Sequence, residues 1–150
     1  MSIRSFVDTT TIVGQVLIPA ATPVNYTLTP QQSGTTFIAT KIATQPINVT
    51  LTSPTIAGIK YRIYLANTAA TSVLTISTPA VGAVPTASMI GWCTVANGVK
   101  ILSTGTAALV TSIQFLAAAD PSDLIDFVSD GTVWRCEGNS QNNAGFQFVA

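Results

Sequence analysis

The segment FVSDGTVWRC, residues 127 to 136, decides the fold because it joins two β-prone runs through the dipeptide Asp-Gly. Asp-Gly between such runs is a strong hairpin signal, since a type I′ turn needs positive φ at both central residues. We therefore predict a hairpin with Asp130 and Gly131 at its tip. Asp tolerates the left-handed conformation at such corners, so Asp130 is interpreted as a turn residue and not as a catalytic acid.

A two-residue tip also predicts the register of the hairpin. It pairs Ser129 with Thr132, Val128 with Val133, Phe127 with Trp134, Asp126 with Arg135, and Ile125 with Cys136. One face then carries four apolar side chains, and the other carries a cross-strand ion pair between Asp126 and Arg135. A slip by one residue would separate the two aromatic rings, so this pairing is internally consistent.

Period-two alternation continues on both sides of the hairpin. Apolar residues occupy every second position at 47–52 and at 61–65, and further β-prone runs lie at 25–28, 72–76, 98–102 and 111–115, separated by Pro or Gly. Threonine, which suits a pleated surface, occurs 23 times. The sequence predicts an all-β fold, an antiparallel β-sandwich or jelly-roll-like domain of about eight short strands.

An internal similarity links two of these runs. Residues 22–30, TPVNYTLTP, are echoed by residues 45–54, QPINVTLTSP, at an offset of 23. The shared pattern is explained either by duplication of a strand pair or by convergence of proline-bounded, threonine-rich strands. Under both explanations the two segments are strands, since proline suits strand ends and edges.

The composition limits the classes of function. Length predicts one domain over residues 1–150, with extended ends at 1–12 and 138–150. Only 8% of residues are charged and the formal net charge is zero, so we expect no nucleic-acid partner. Neither a signal peptide nor an 18-residue apolar run is recognised, so no membrane span is expected. Charged residues normally keep soluble monomers apart, so a surface with so few of them indicates that much of it is covered by copies of the chain or by a larger assembly.

The residue types argue against an enzyme. The chain has no histidine and a single glutamate, which removes the usual nucleophile activation and paired-Glu chemistry. Three aspartates lie three residues apart, at Asp120, Asp123 and Asp126, and their oxygens could form a calcium site. We favour separate roles, in which Asp120 begins a turn, Asp123 caps the entry of a strand and Asp126 pairs with Arg135. Cys93 and Cys136 are expected as buried thiols. We predict no catalytic residue, no metal and no cofactor.

Two other features have competing interpretations. Asn25 and Asn48 begin Asn-x-Thr sequons, which are interpreted more simply as strand sequence than as glycosylation sites. Tyr61 lies on the apolar side of its strand and is expected in the core, whereas Tyr64 lies on the other side and is a candidate contact residue.

The chain resembles small β-domains of viral structural proteins, namely fibres and head decorations of tailed phages and minor capsid proteins of large icosahedral DNA viruses. The resemblance lies in YTLTPQQSGTTFIATKIATQPINVTLTSPTIAGIKYRIYLANTAATSVLTI (26–76) and SDLIDFVSDGTVWRC (122–136). Such domains pair a Gly-x-x-Tyr strand, 58–61 here, with a strand ending in Ser-Asp-Gly-Thr-x-Trp, 129–134 here. The resemblance implies a virion component, assembled in the host cytoplasm, that forms trimers or docks on other capsid proteins.

We therefore expect a decoration, cement or minor capsid protein that forms homo-oligomers. Its apolar tail, with Phe146, Phe148 and Val149 as interface residues, is expected to add as a strand to a partner sheet. The alternative is a fibre-tip or lectin-like module that binds host glycans through exposed residues such as Tyr64.

Overall fold

The computed structural model describes residues 15–18, 24–41, 46–67, 72–81, 84–85, 89–102 and 110–149. These residues form fourteen strands and two short 3₁₀ turns, at Pro30–Gln32 and Ala96–Gly98. The strands are β1 Gln15–Ile18, β2 Val24–Thr27, β3 Thr35–Ala39, β4 Ile47–Thr50, β5 Lys60–Leu65, β6 Leu74–Ser77, β7 Ala80–Val81, β8 Val84–Pro85, β9 Met89–Thr94, β10 Lys100–Leu102, β11 Ser112–Phe115, β12 Leu124–Ser129, β13 Trp134–Asn139 and β14 Phe146–Val149.

The strands form two main sheets and a ribbon. The large sheet has the order β1-β3-β5-β12-β13-β9-β10, the small sheet has the order β14-β11-β6-β4-β2, and β7 pairs with β8. Neither main sheet closes on itself within the described residues. The prediction of an all-β, sandwich-like fold is confirmed, although the described strands outnumber the eight that were expected.

The two main sheets pack face to face on one apolar core. Phe37, Tyr61 and Trp134 enter it from the large sheet, and Leu74 and Phe115 enter it from the small sheet; all five are at most 1% exposed. Buried polar atoms of the aromatic side chains find partners across the core. The indole Nε1 of Trp134 donates to the carbonyl of Thr52 at 3.0 Å, and the hydroxyl of Tyr61, a predicted core residue, donates to the carbonyl of Thr29 at 2.7 Å.

The first six strands alternate between the two sheets, which corrects the expectation of purely antiparallel pairing. Strands β1, β3 and β5 belong to the large sheet, and β2, β4 and β6 belong to the small sheet. Because each strand is followed by one on the opposite side of the sandwich, consecutive strands of one sheet run in the same direction. The pairs β1/β3, β3/β5, β2/β4 and β4/β6 are accordingly parallel.

The repeated sequence lies within this alternating region. Val24 to Thr27 in β2 pair with Ile47 to Thr50 in β4, so the parallel register equals the sequence offset of 23 residues. The two equivalent asparagines meet, and Asn48 Nδ2 donates to Asn25 Oδ1 at 3.0 Å. Both segments are strands, as predicted, and they are adjacent parallel strands of the small sheet.

The hairpin of β12 and β13 has a longer loop than predicted. Ser129 pairs with Trp134, so residues 130–133 form the loop and the predicted register is wrong by two residues. The Asp130 carboxylate accepts hydrogen bonds from the backbone N–H groups of Thr132 and Val133, which holds both residues out of the ladder. Gly131 has a φ of +98°, whereas Asp130 is not among the residues with positive φ, so the type I′ turn is absent.

The predicted faces of the hairpin nevertheless hold, because a shift of two residues preserves the alternation of a strand. The four side chains of the apolar face, Ile125, Phe127, Trp134 and Cys136, are all at most 4% exposed.

Residues 138–149, from the segment predicted as an extended end at 138–150, belong to the domain itself. Strand β13 continues to Asn139, and β14 pairs antiparallel with β11 in the small sheet. Phe146 is only 3% exposed and its ring lies edge-on to those of Phe115 and Phe148, with centroids 5.5 and 5.2 Å away. This packing keeps the segment on its own domain. The other predicted extension, residues 1–12, lies outside the described residues.

Candidate functional site

The solvent-facing side of the large sheet, which we call the outer face, carries one row of side chains across five strands. Strand register places Arg62, Asp126, Glu137, Trp92 and Leu102 next to one another on β5, β12, β13, β9 and β10. With neighbouring strands ~4.8 Å apart, this row extends over roughly 19 Å. Side chains from distant parts of the sequence therefore meet on one rigid surface.

A groove of about 570 Å³ lies on the outer face, and we call it the outer groove. Three aliphatic side chains at its surface are unusually exposed: Ile90 at 44%, Leu102 at 56% and Val128 at 37%. Its lining consists of Ile90, Gly91, Trp92, Leu102, Asp126, Val128, Arg135, Cys136 and Glu137. A smaller hollow of about 330 Å³ shares Asp126 and Val128 with it and extends the depression toward β3.

Two ion pairs fix the charged groups of the outer groove. The guanidinium of Arg62 donates to both carboxylate oxygens of Asp126, at 2.6 and 2.7 Å, and these hydrogen bonds raise the pKa of Arg62. Arg135 donates from Nε to Asp130 at 2.8 Å. The predicted pair between Asp126 and Arg135 is therefore wrong, because the longer hairpin loop moves Glu137 opposite Asp126.

Asp130 remains a loop residue that fixes the hairpin. Its carboxylate accepts hydrogen bonds from the backbone N–H of Val133, the side chain and backbone of Thr132, and Arg135, and these bonds lower its pKa. A carboxylate engaged in this way is poorly suited to accept a proton, which agrees with its interpretation as a turn residue.

Trp92 and Glu137 are the two functional candidates that the sequence did not reveal. They lie side by side on the parallel strands β9 and β13, and the Lys100 ammonium is 5.0 Å from the centroid of the Trp92 ring. Within the described part of the chain, the exposed Glu137 side chain has no hydrogen bond or ion pair. Its carboxylate is therefore an acceptor available to a ligand. The only signal in the sequence was the period-two alternation of β13, since β9, with the sequence MIGWCT, does not alternate.

The three aspartates considered for calcium are used separately. Asp126 binds Arg62, whereas Asp123 is fully buried and its carboxylate accepts hydrogen bonds from Gln141 N, Ser140 Oγ and Asp120 N at 2.7, 2.7 and 3.0 Å. We call this cluster the Asp123 node. Across the residues that the structure describes, no three His, Cys, Asp or Glu side chains gather as a metal site.

A buried lysine lies near the node. Lys41 is 1% exposed and donates from Nζ to the carbonyl of Leu116 at 2.7 Å. Burial lowers its pKa, and the nearby charges of Asp123 and Asp120 partly oppose that shift. The arrangement ties the end of β3 to the loop after β11.

The remaining predicted residues have structural surroundings. Both cysteines are buried and unbridged, as predicted, and burial raises the pKa of each thiol to about 12, so little nucleophilic thiolate forms near neutral pH. Tyr64 is half-buried on the outer face, with its hydroxyl 3.3 Å from Ser122 Oγ. It lies on β5 opposite Leu124, outside the lining of the outer groove.

The predicted interface residues of the tail form an edge of the small sheet. Among the described strands, β14 pairs only with β11, on one side. Strand β14 has the sequence FQFV, without proline or charge, whereas the edge strand β10 of the large sheet carries Lys100. Edge strands without such residues are prone to pair with another chain.

No known protein family, curated protein or solved structure matches the chain. In the described residues, no helix has the length and apolar character needed to cross a membrane.

Proposed function

We propose that the protein is a structural component of a virus particle, a capsid-associated decoration, cement or minor capsid subunit that acts through protein–protein interfaces. It is assembled in the host cytoplasm and contacts copies of itself and other capsid proteins. The sequence resemblance supports the viral context, and the low charge supports burial of much of the surface in an assembly.

The observation that carries this proposal is the uncharged edge of β14. Leu116 N donates to Gly145 O at 2.8 Å, so hydrogen-bonded rungs between β11 and β14 recur at every second residue from there. The next such rung is at Gln147. The N–H groups of Phe146 and Phe148 consequently point away from β11, toward the side where a partner strand adds.

The partner strand comes from a second copy of the chain. Pairing of β14 with β14 gives a two-fold dimer, whereas pairing of β14 with β2, the opposite edge of the same sheet, is a head-to-tail contact that closes into a ring such as a trimer. We favour the trimer because the proposed class of viral domain forms trimers.

Size-exclusion chromatography with light scattering tests the proposal. We expect the purified chain to run at a multiple of its 15.5 kDa mass and the variant Gln147→Lys to run as a monomer, since a lysine on the edge opposes strand addition. Gln147 is exposed, so the substitution leaves the core intact.

The matched control is Gln141→Lys, which adds the same charge at an exposed position outside the strands. It should keep the mass of the parent protein. A parent protein that stays monomeric at high concentration, or a Gln147→Lys variant that assembles as well as the control, would contradict the role of β14.

A further inference from the structure

We propose that the outer groove is a binding site for a neutral carbohydrate, with Trp92 as its apolar platform and Glu137 as an acceptor for sugar hydroxyl groups. This inference goes beyond assembly through β14, because it concerns the opposite sheet and does not depend on that edge.

The charges of the groove favour an uncharged ligand. Half of the twelve charged residues of the chain lie in the groove lining or in direct contact with it. Three are basic and three are acidic: Arg62, Lys100, Arg135, Asp126, Asp130 and Glu137. Their formal charges balance, so neither a strongly anionic nor a strongly cationic ligand gains from the net field. What remains is a set of fixed donors and acceptors, which suits a ligand rich in hydroxyl groups.

The apolar part of the groove suits the C–H faces of a sugar ring. Ile90, Leu102 and Val128 are exposed in the same groove lining as the half-buried indole of Trp92. The position of the Lys100 ammonium over the indole shows that the ring face attracts positive charge. The C–H groups of a pyranose carry partial charge of the same sign, so they suit the same indole face and compete with Lys100 for it.

The floor of the groove argues against an extended peptide as the ligand. Strands β12, β13 and β9 are each paired on both sides, so their backbone N–H and C=O groups are already used within the sheet. A peptide that binds by strand addition needs such groups at an edge. Recognition in the groove therefore depends on side chains, and among these Asp126 and Arg135 are held in place by ion pairs.

The dimensions agree with an oligosaccharide. The volume of 570 Å³ lies within the range of about 300–1,000 Å³ that is typical of small-molecule sites. The adjoining hollow continues the depression across β12 and β5, past Asp126 and Val128, and its lining adds one basic residue, Lys60. A chain of several sugar units can thus lie across the strands.

A glycan array tests the proposal with the intact chain. The array carries neutral oligosaccharides of glucose, galactose, mannose and N-acetylhexosamines, with sialylated and sulfated ones on the same slide. We expect retention on neutral oligosaccharides, and titration calorimetry with the best of them should show affinity reduced at least tenfold by Glu137→Gln. Because Glu137 is exposed and has no hydrogen bond or ion pair with the residues that the structure describes, this variant should keep the melting temperature of the parent protein.

Two further variants locate the site. Trp92→Ala should abolish binding, whereas Tyr64→Ala, on the same face but outside the groove lining, should retain it. Absence of binding to every neutral oligosaccharide, binding to the charged ones alone, or loss with Tyr64→Ala but not with Glu137→Gln would overturn the assignment. Light scattering on the same samples measures the oligomeric state, so a loss of glycan binding can be distinguished from a loss of assembly through β14.

Discussion

Replacing Asp123 by Asn should destabilise the protein strongly, because it removes a buried negative charge that three donors share. The fully buried carboxylate accepts hydrogen bonds from Gln141 N, Ser140 Oγ and Asp120 N. The asparagine amide has only one acceptor oxygen. In either orientation its NH₂ group faces one of the two backbone N–H groups, which is then left buried and unpaired.

The magnitude follows from these contacts. A buried N–H group without a partner costs ~1–3 kcal/mol, and the loss of charge from the remaining bonds costs ~1 kcal/mol more. We therefore expect the free energy of unfolding to fall by about 3 kcal/mol, which corresponds to a melting temperature lower by roughly 6–12 °C for a domain of this size.

Urea unfolding followed by tryptophan fluorescence measures this change. The control is Asp120→Asn, which removes the same charge three residues earlier from a side chain that has no hydrogen bond among the described residues. Because Asp120 also lies near the buried Lys41, the control loses one charge interaction, and we expect it to cost at most ~1 kcal/mol. The node joins residues 120–123 to residues 140–141. If Asp123→Asn is no less stable than Asp120→Asn, its hydrogen bonds do not stabilise this connection.

Three further predictions concern the large sheet and the core. Gly91→Ala should cost ~3 kcal/mol or more, measured by urea unfolding, because the added Cβ would lie 1.8 Å from the carbonyl oxygen of Cys136; a folded variant of parental stability would contradict this close approach. A double-mutant cycle should give a coupling energy of up to ~1 kcal/mol for Arg62 with Asp126 and none for Arg135 with Asp126, and the reverse result would restore the shorter hairpin loop. The pKa of a cysteine thiol is 9.0 in the unfolded chain, and burial raises the pKa of Cys93 and Cys136 to about 12. The stability that the two neutral thiols contribute is therefore complete below pH 9 and is lost as the pH rises toward 12. Urea midpoints between pH 8 and 11 should fall less steeply when both cysteines are replaced by alanine, and an unchanged slope would exclude them as its cause.

The hairpin shows what strand alternation can and cannot predict. Period two placed Phe127 and Trp134 in the core correctly, since burial depends on which face a residue occupies. The length of the loop depends on whether backbone N–H groups bond to the opposite strand or to a nearby side chain, and the alternation of apolar residues does not predict this choice. The Asp130 carboxylate binds the N–H groups of Thr132 and Val133, and this lengthens the loop without changing the faces.

The parallel pairing had a signal in the sequence, which was the repeat. Segments of similar sequence at a fixed offset can stack in register, and the asparagine pair of β2 and β4 does so. Short alternating strands alone do not reveal which sheet each one joins. The prediction of antiparallel sheets therefore failed in the alternating region and for the pair β13 and β9, and it held where the chain returns through β11, β12 and β14.

The outer groove could not be predicted from sequence, because its lining lies on four strands from two separate parts of the chain, β9 with β10 and β12 with β13. Glu137 becomes a neighbour of Trp92 only through the parallel pairing of β13 with β9, and a neighbour of Asp126 only through the corrected register. Neither side chain belongs to a motif. Their functional meaning arises from the order of strands in the sheet.

The distribution of charge separates the two proposed roles. In a chain with 8% charged residues, a surface that holds half of them is one that stays in contact with solvent or a polar ligand. That surface is the outer face. The β14 edge of the small sheet has no charged residue and loses little solvation when a partner strand covers it. Pairing at the β14 edge thus leaves the large sheet uncovered, so an oligomer built in this way can still bind a glycan in the outer groove.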